Sequence, residues 1–296
     1  MQLLVMVGMS LLLMLAVSLV VAALQMAGLA DAGSLPMLYV TQVLSQVLCF
    51  ALPPVLTVLV YYRTGQREFY RLDLGGRSWW KAFVCVVAAL LLTPLIDALS
   101  IWNDGWHFGG SLQRLEEAMR AMQQSTEALL AGMMAGDGVG TLVLNLVVVA
   151  LFAAVSEELF FRVGIQNLLQ RWWQRDADKT GFGAHAAVWV TAAVFSLTHG
   201  EIFAFMPRFV LGLLLGYAYL YGRSLVCNVL VHFVNNAIVV VLYWLSARGV
   251  GGIDPEATLD CGWPVVACCA LAALTLLYVE LVIRGKSESK KLKINE

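Results

Sequence analysis

Two adjacent carboxylates and an arginine lie within an apolar run in the middle of the chain. Glu157 and Glu158 precede Arg162, and the run 142–161 carries no other charge. Ionised side chains are costly in lipid, so charges inside an apolar span indicate a functional site. On a helix, Glu158 and Arg162 share a face, whereas Glu157 is rotated by about 100°. We therefore expect Glu158 and Arg162 to form a structural ion pair, with Glu157 left to meet groups on other helices.

Further polar groups interrupt two apolar runs downstream of Glu157. His199 lies near the end of one run, and His232 and Asn236 lie in another. The four-residue spacing of His232 and Asn236 places an imidazole and a carboxamide on one face of a helix. We expect a carboxylate, two imidazoles and an amide from three spans to converge inside a helical bundle.

This set of groups suits hydrolysis of an amide bond. The reaction needs a base that takes a proton from water, a donor that stabilises the oxyanion and an acid that protonates the leaving amine. Glu157 is the candidate base and Asn236 the candidate oxyanion donor. His199 and His232 either orient and polarise the water directly or bind Zn²⁺ together with Glu157, because two histidines and a glutamate are a known catalytic zinc ligand set. The spacing leaves both alternatives open.

The same residues also have structural interpretations. A single histidine in a span is more often packed and hydrogen-bonded than catalytic, and a single asparagine often joins helices. A purely structural bundle has little reason to carry all of them, since each raises the free energy of insertion. Two other classes are a non-catalytic scaffold or partner-binding protein that uses the cluster for packing, and an ion relay in a transporter. The ion relay is disfavoured because the sequence shows no pair of inverted repeats, which many transporters have.

The composition is that of a polytopic membrane protein. Hydrophobic residues make up 60% of the chain and charged residues 13%, with a mean hydropathy of +0.78, whereas soluble domains carry about 25% charged residues. We predict an all-α transmembrane helix bundle. A net charge of -1 gives no reason to expect nucleic acid as a partner. The expected partners are the lipid bilayer and a peptide or protein substrate.

Eight apolar stretches are expected to span the membrane, for which about 20 residues are needed. They are Leu3–Leu24, Pro36–Tyr62, Ala82–Ile101, Leu142–Arg162, Ala184–Phe205, Phe209–Tyr221, Leu225–Leu245 and Trp263–Ile283. The second is expected to break or kink near Pro53 and Pro54. Apolar residues recur at helical spacing across 112–130, which predicts an amphipathic helix on the outer membrane surface or as a cap on the bundle.

The chain is expected to form one membrane domain with four segments. These are three N-terminal spans (1–102), the extracytoplasmic amphipathic segment (103–140), a catalytic core of four spans (141–246), and the last span with a basic cytoplasmic tail (247–296). With eight spans, 14 of the 19 lysines and arginines fall on one side. The positive-inside rule then predicts a cytoplasmic-membrane protein with both termini in the cytoplasm.

The predicted position of His199 fits this topology poorly. Glu157 and His232 lie toward the cytoplasmic half, whereas His199 lies late in a span that runs outward. We therefore expect the fifth helix to be tilted or broken near Gly200, or its boundaries to be displaced by about one turn.

Three motifs occur in order along the chain and resemble those of the CPBP (CAAX protease and bacteriocin-processing, or Abi) family of intramembrane proteases. They are Glu157-Glu158-x-x-x-Arg162, Phe195-x-x-x-His199 and His232-x-x-x-Asn236. The resemblance covers about 142–245, and every motif position is filled.

The resemblance implies an intramembrane endopeptidase that acts in CAAX-type or leader-peptide processing. It implies that Glu157 is the catalytic glutamate, with Glu158 and Arg162 as the accompanying glutamate and arginine. His199, His232 and Asn236 are implied as the family's two histidines and amide. Family members act on lipidated proteins or on leader peptides, and a bound metal is left open.

Overall fold

The computed structural model describes residues 1–29, 31, 33–62, 69–71, 76–173, 181–255, 257–258 and 261–284. Within these ranges the regular elements are helices and no strand occurs, which confirms the all-α prediction. The main helices are α1 (Gln2–Met26), α2 (Leu35–Tyr61), α3 (Gly76–Asp104), α4 (Gln113–Met134), α5 (Val139–Trp173), α6 (Phe182–Leu197), α7 (Phe205–Gly222), α8 (Leu225–Ala247) and α9 (Trp263–Ile283).

Seven of the described helices are long and apolar enough to cross a membrane, namely all of those above except α4 and α6. Helix α6 is apolar but has 16 residues, which rise about 24 Å, whereas the hydrocarbon core is about 30 Å thick. Together these eight apolar helices correspond to the eight predicted spans. The prediction of an integral membrane helix bundle is confirmed.

Helix α4 is the predicted amphipathic helix between the third and fourth spans. Its residues Leu115, Met122 and Leu129 are exposed, and their seven-residue spacing places them on one face. Glu116, the residue after Leu115, is buried. The helix therefore has an exposed apolar face and a polar face that is engaged within the protein.

The chain folds as two compact units. The first combines Met1–Arg71, Ala128–Gly183 and His232–Pro255, and the second combines Leu72–Glu127, Ala184–Val231 and Glu256–Glu296. Helices α4 and α8 each contribute residues to both. The first unit holds Glu157, His232 and Asn236, and the second holds His199.

In the first unit, α5 packs closely against α1 and α2. A Cβ atom added at Gly164 would lie 2.7 Å from Sδ of Met6 and 3.4 Å from Cβ of Pro54. Where α1 meets α2, the Ser10 hydroxyl donates to the Cys49 carbonyl oxygen at 2.6 Å. The absence of a side chain at Gly164 thus permits the close approach of the helix that carries the two central glutamates.

In the second unit, α3 packs against α7 and α9. Ala88 and Leu92 of α3, Leu214 of α7 and Ala273 of α9 form one buried apolar cluster. Helix α6 packs on α7 at Gly212, where an added Cβ would lie 3.1 Å from Cα of Ala192.

The fourth span is longer than predicted. We expected it to end at Arg162, but α5 continues to Trp173. The added turns contain Gln166, Asn167 and Gln170, which are polar but almost fully buried, and Asn167 Nδ2 donates to the Phe69 carbonyl oxygen at 3.1 Å. Hydropathy ends the span too early because these amides face protein. Glu158 and Arg162 therefore lie in the middle of a helix.

The fifth span is shorter than predicted, and the expected break near Gly200 is confirmed. Helix α6 ends at Leu197 instead of continuing to Phe205, and Gly200 has a φ of +74°, which the absence of a side chain allows. In the second span, α2 continues through Pro53 and Pro54, so no break occurs there. Its irregular part is the π-helical segment Ser45–Ala51, just before the prolines.

Most of the predicted basic residues of the two cytoplasmic loops and the tail lie outside the described residues. They are Arg63, Arg67, Arg175, Lys179, Lys286, Lys290, Lys291 and Lys293.

Candidate active site

The two central glutamates lie where the geometry of α5 changes. An α-helical stretch ends at Glu158, and the next eight residues, Leu159–Gln166, form a π-helix. Such π-helical segments are uncommon and are frequent at functional sites. The change in geometry follows directly after the carboxylates that the sequence singled out.

Glu158 and Arg162 contact each other inside the first unit. Arg162 Nε donates to Glu158 Oε2 at 3.1 Å, and both side chains are 0% exposed. Removing one partner of such a buried pair leaves an uncompensated charge, which typically costs about 3–5 kcal/mol. The pair therefore constrains the first unit strongly.

The other oxygen of Glu158 binds His232 on α8. Glu158 Oε1 lies 3.0 Å from Nδ1 of His232. An ionised carboxylate can only accept, so Nδ1 carries the proton and donates it. In the neutral ring, Nε2 is then the unprotonated nitrogen. Glu158 thus links Arg162 to His232, a contact between helices that the sequence did not reveal.

The second ring nitrogen of His232, Nε2, faces Glu157. Nε2 lies 3.7 Å from Glu157 Oε2, and the side chains are 3% and 13% exposed, respectively. This separation is longer than a direct hydrogen bond, but a water molecule can bridge groups so spaced. In the first unit, Glu157 therefore faces His232, His232 contacts Glu158, and Glu158 contacts Arg162.

Asn236 follows His232 by one turn on α8 and is half-buried. Its Oδ1 accepts a hydrogen bond of 3.3 Å from Nδ2 of Asn235. The bond occupies the carbonyl oxygen of Asn236 and leaves its NH₂ group as the donor that a substrate oxyanion requires. Asn235 was not among the predicted site residues, although it is adjacent to one.

His199 belongs to the second unit and lies beyond the end of α6. It is exposed, and its Nδ1 lies 2.8 Å from the Phe195 carbonyl oxygen. Since a carbonyl only accepts, Nδ1 is the donor, and in the neutral ring Nε2 is then the acceptor nitrogen. The Phe195 ring packs against the imidazole at a centroid distance of 5.0 Å. Both histidines thus have their Nδ1–H groups engaged by oxygen acceptors.

The predicted zinc ligands are divided between the two units, with Glu157 and His232 in the first and His199 in the second. Catalytic zinc sites have three protein ligands and a position for water. Within the first unit, Glu157 and His232 supply two donor atoms that face each other. Among the described residues, no three His, Cys, Asp or Glu side chains form a metal-binding group. Zinc binding by Glu157, His199 and His232 stays a prediction.

Comparison with known proteins supports the expected family. Residues 139–238 match the family model described as "Type II CAAX prenyl endopeptidase Rce1-like", which is part of the CPBP family. No curated protein and no solved structure gives a significant match to the chain. The matched range begins with α5 and ends within α8, so it contains each predicted site residue. Residues 139–238 of this chain are therefore similar to the Rce1-like members of the CPBP family of intramembrane proteases.

Proposed function

We propose that this protein is a CAAX-type intramembrane endopeptidase in which Glu157 activates a water molecule for attack on a peptide bond. The geometry of His232 carries the proposal, because its two ring nitrogens face two adjacent glutamates. Glu158, held by Arg162, fixes the ring and its tautomer. Glu157 is then the carboxylate that shares a water molecule with Nε2.

The reaction uses these groups as a base and a proton carrier. Glu157 takes a proton from water while the water oxygen attacks the carbonyl carbon of the substrate. The proton passes to Nε2 of His232, and the resulting imidazolium is stabilised by the Glu158 carboxylate at Nδ1. His232 then protonates the leaving nitrogen as the C–N bond breaks, so one water molecule is consumed for each bond cleaved.

Asn236 and His199 complete the proposal. The NH₂ group of Asn236 is assigned to the oxyanion, where one such donor contributes about 3–4 kcal/mol in well-studied enzymes. His199 is assigned to the reaction because the Rce1-like match includes it and because its Nε2 is the acceptor nitrogen.

The proposed substrate is a peptide or protein cleaved within or beside the membrane. The description of the matching family model names a "CAAX prenyl endopeptidase". A prenylated C-terminal peptide is therefore the first probe, and the same peptide without the lipid tests whether the prenyl group is recognised.

The test uses purified protein in liposomes with two quenched-fluorescent CAAX peptides, one prenylated and one not. We expect the wild-type protein to cleave the prenylated probe. Glu157→Gln should lower kcat at least about 100-fold, which is the lower range for loss of a general base. The control is Glu117→Gln on α4, where the side chain is exposed, and it should retain full activity.

Two further readouts separate the proposal from its rivals. If the polar cluster only packs helices, Glu157→Gln will lower the melting temperature while the surviving folded protein cleaves normally. If zinc is required, dialysis against a chelator will abolish cleavage and stoichiometric zinc will be present in active samples. The proposal expects a folded, inactive variant and activity that survives the chelator.

A further inference from the structure

A hydrogen bond joins the two ends of the loop that carries His199. This loop connects α6 to α7, and the Ser196 hydroxyl at its start donates to the Phe205 carbonyl oxygen at its end over 2.6 Å. Glu201 within the loop pairs with Arg208 on the first turns of α7. His199 therefore lies in a short loop of the second unit that a hydrogen bond and an ion pair restrain.

A buried asparagine of α3 fastens the second half of this loop. Asn103 is 0% exposed. Its Nδ2 donates to the Ile202 carbonyl oxygen at 3.0 Å, and its Oδ1 accepts from the Met206 N–H at 2.7 Å. A single side chain therefore satisfies backbone groups on both sides of Phe203.

Helix α4 and the segment before it cover the loop at Phe203. The guanidinium carbon of Arg120 lies 3.8 Å from the centre of the Phe203 ring, a distance typical of a cation–π contact. The Phe108 ring stacks on the Phe203 ring at 5.6 Å. A Cβ added at Gly200, next to His199, would lie 3.3 Å from Cε of Met122 on α4. The amphipathic helix thus contacts the loop at two points.

Arg120 is itself held in place by four hydrogen bonds. Nε donates to Glu116 Oε1 at 3.1 Å, and Nη1 donates to Asp104 Oδ1 at 3.1 Å. Nη2 donates to the carbonyl oxygens of Asp104 and Trp106, each at 2.9 Å. This planar, multiply bonded arrangement requires arginine, because lysine cannot make bonds in several fixed directions.

We propose that Arg120 is a positioning residue for the reaction, because it fixes the loop that presents His199. The inference rests on the proposed function, in which His199 takes part in the reaction. It assigns a role to α4, which lies outside the residues matched by the family. In this chain the side chain of Arg120 on the amphipathic helix therefore supports the loop that presents His199.

The expected effect is on turnover and not on binding. A displacement of about 1 Å can cost about 100-fold in rate, and Arg120→Ala removes the contacts on Phe203 without touching His199. We expect kcat to fall at least tenfold with an unchanged KM for the prenylated CAAX probe. Arg120→Lys should not restore it. Arg114→Ala, on an exposed position of the same helix, is the matched control and should leave kcat unchanged.

A double-mutant cycle separates positioning from a general loss of folded protein. Arg120→Ala should have no further effect on kcat in a His199→Ala background, since its effect runs through that imidazole. In an Asn236→Ala background it should keep its full tenfold effect. Equal losses in both backgrounds, or full kcat in Arg120→Ala alone, would overturn the proposal. Activity in Glu157→Gln would instead overturn the proposed function, so the two failures are distinguishable.

Hydrogen exchange gives a second readout if the residual activities are too low to compare. Arg120→Ala should increase exchange of the amides from Thr198 to Met206 and leave the amides around Asn236 on α8 unchanged. Arg114→Ala should change neither. Unchanged exchange in the His199 loop of Arg120→Ala would overturn the proposal independently of any substrate.

Discussion

The central residue contact is the one between Glu158 and His232. Helical spacing associates Glu158 with Arg162, but the structure shows that the same carboxylate also accepts from Nδ1 of His232. Glu158 therefore does two things, since it neutralises a buried guanidinium and fixes the tautomer of an imidazole. Those roles can be separated by mutation.

Glu158→Gln should lose both stability and activity. Arg162 would stay buried without its carboxylate, which costs about 3–5 kcal/mol. His232 would lose its anionic acceptor, and loss of a residue that orients a functional histidine typically lowers activity about 10- to 100-fold. Thermal unfolding in detergent and cleavage of the prenylated probe measure the two effects.

The double variant Glu158→Gln/Arg162→Gln provides the control. It removes both charges, so much of the melting temperature should return, while activity should stay low because His232 still lacks a carboxylate. Full recovery of activity in the double variant would mean that Glu158 is only a counter-ion for Arg162.

For individual residues, the residue types and their local spacing could be read from the sequence. It identified Glu157 and Glu158 as distinct because they face different directions on one helix. It could not supply the contact with His232, since that depends on how α8 is rotated against α5 across 74 residues of separation. Nor could it show that Asn103 fastens the His199 loop, because Asn103 lies in a different helix from the motifs.

Among the elements, α6 and α7 are held together at a glycine. The Cβ of an alanine at position 212 would lie 3.1 Å from both Cα and Cβ of Ala192. Because one of these contacts is to backbone, the helices themselves would have to separate. Helix α6 carries His199 just beyond its end, so its packing matters for the position of the loop.

Gly212→Ala should destabilise the protein by about 1–3 kcal/mol, as overpacking of a close contact usually does. The control is Gly132→Ala on α4, where an added Cβ meets no atom within 4 Å and helix propensity favours alanine by about 0.5–1 kcal/mol. Thermal unfolding of both variants tests this. A Gly212→Ala protein as stable as the Gly132→Ala protein would contradict the close packing of α6 on α7.

The contribution of the Glu116 carboxylate on α4 to the stability of the protein should persist in mild acid. This carboxylate accepts hydrogen bonds from the Phe108 N–H, His107 Nδ1 and Arg120 Nε, which lower its pKa from 4.5 to about 2. Since the folded-state pKa is lowered, the stabilisation is complete above about pH 4.5 and is lost as the pH falls toward about 2.

The measurement is the difference in melting temperature between wild type and Glu116→Gln as a function of pH. The difference should shrink between about pH 4.5 and pH 2, as the wild-type carboxylate becomes protonated. A difference that is still unchanged at pH 2.5, or that has vanished by pH 5, would contradict the bonding seen around Glu116.

The ends of a helix were predicted correctly where the sequence stays apolar up to the end. They were predicted incorrectly where buried polar residues continue the helix. The last span was predicted at its observed bounds, Trp263–Ile283, because nearly all of its residues are apolar. Helix α5 extends beyond its predicted end because Gln166 and Asn167 are buried. Hydropathy cannot distinguish such buried amides from a loop.

For the molecule as a whole, sequence and structure agree on a helical membrane protein with a central segment that is similar to the Rce1-like family. This segment comprises residues 139–238, and the preceding amphipathic helix adds contacts to one of its loops. We propose that the reaction of this protein is peptide-bond hydrolysis in or beside the membrane. The pattern of lysines and arginines favours cytoplasmic termini, which remains a prediction.

The role of Glu157 is measured most directly by a quantitative comparison of the peptides released in membranes from cells that express wild-type protein or Glu157→Gln. Both proteins must be present at equal levels. We expect new peptide termini in the wild-type membranes that are absent with Glu157→Gln and present with Glu117→Gln. Identical sets of termini with wild type and Glu157→Gln would contradict the role of Glu157 as the base that activates water.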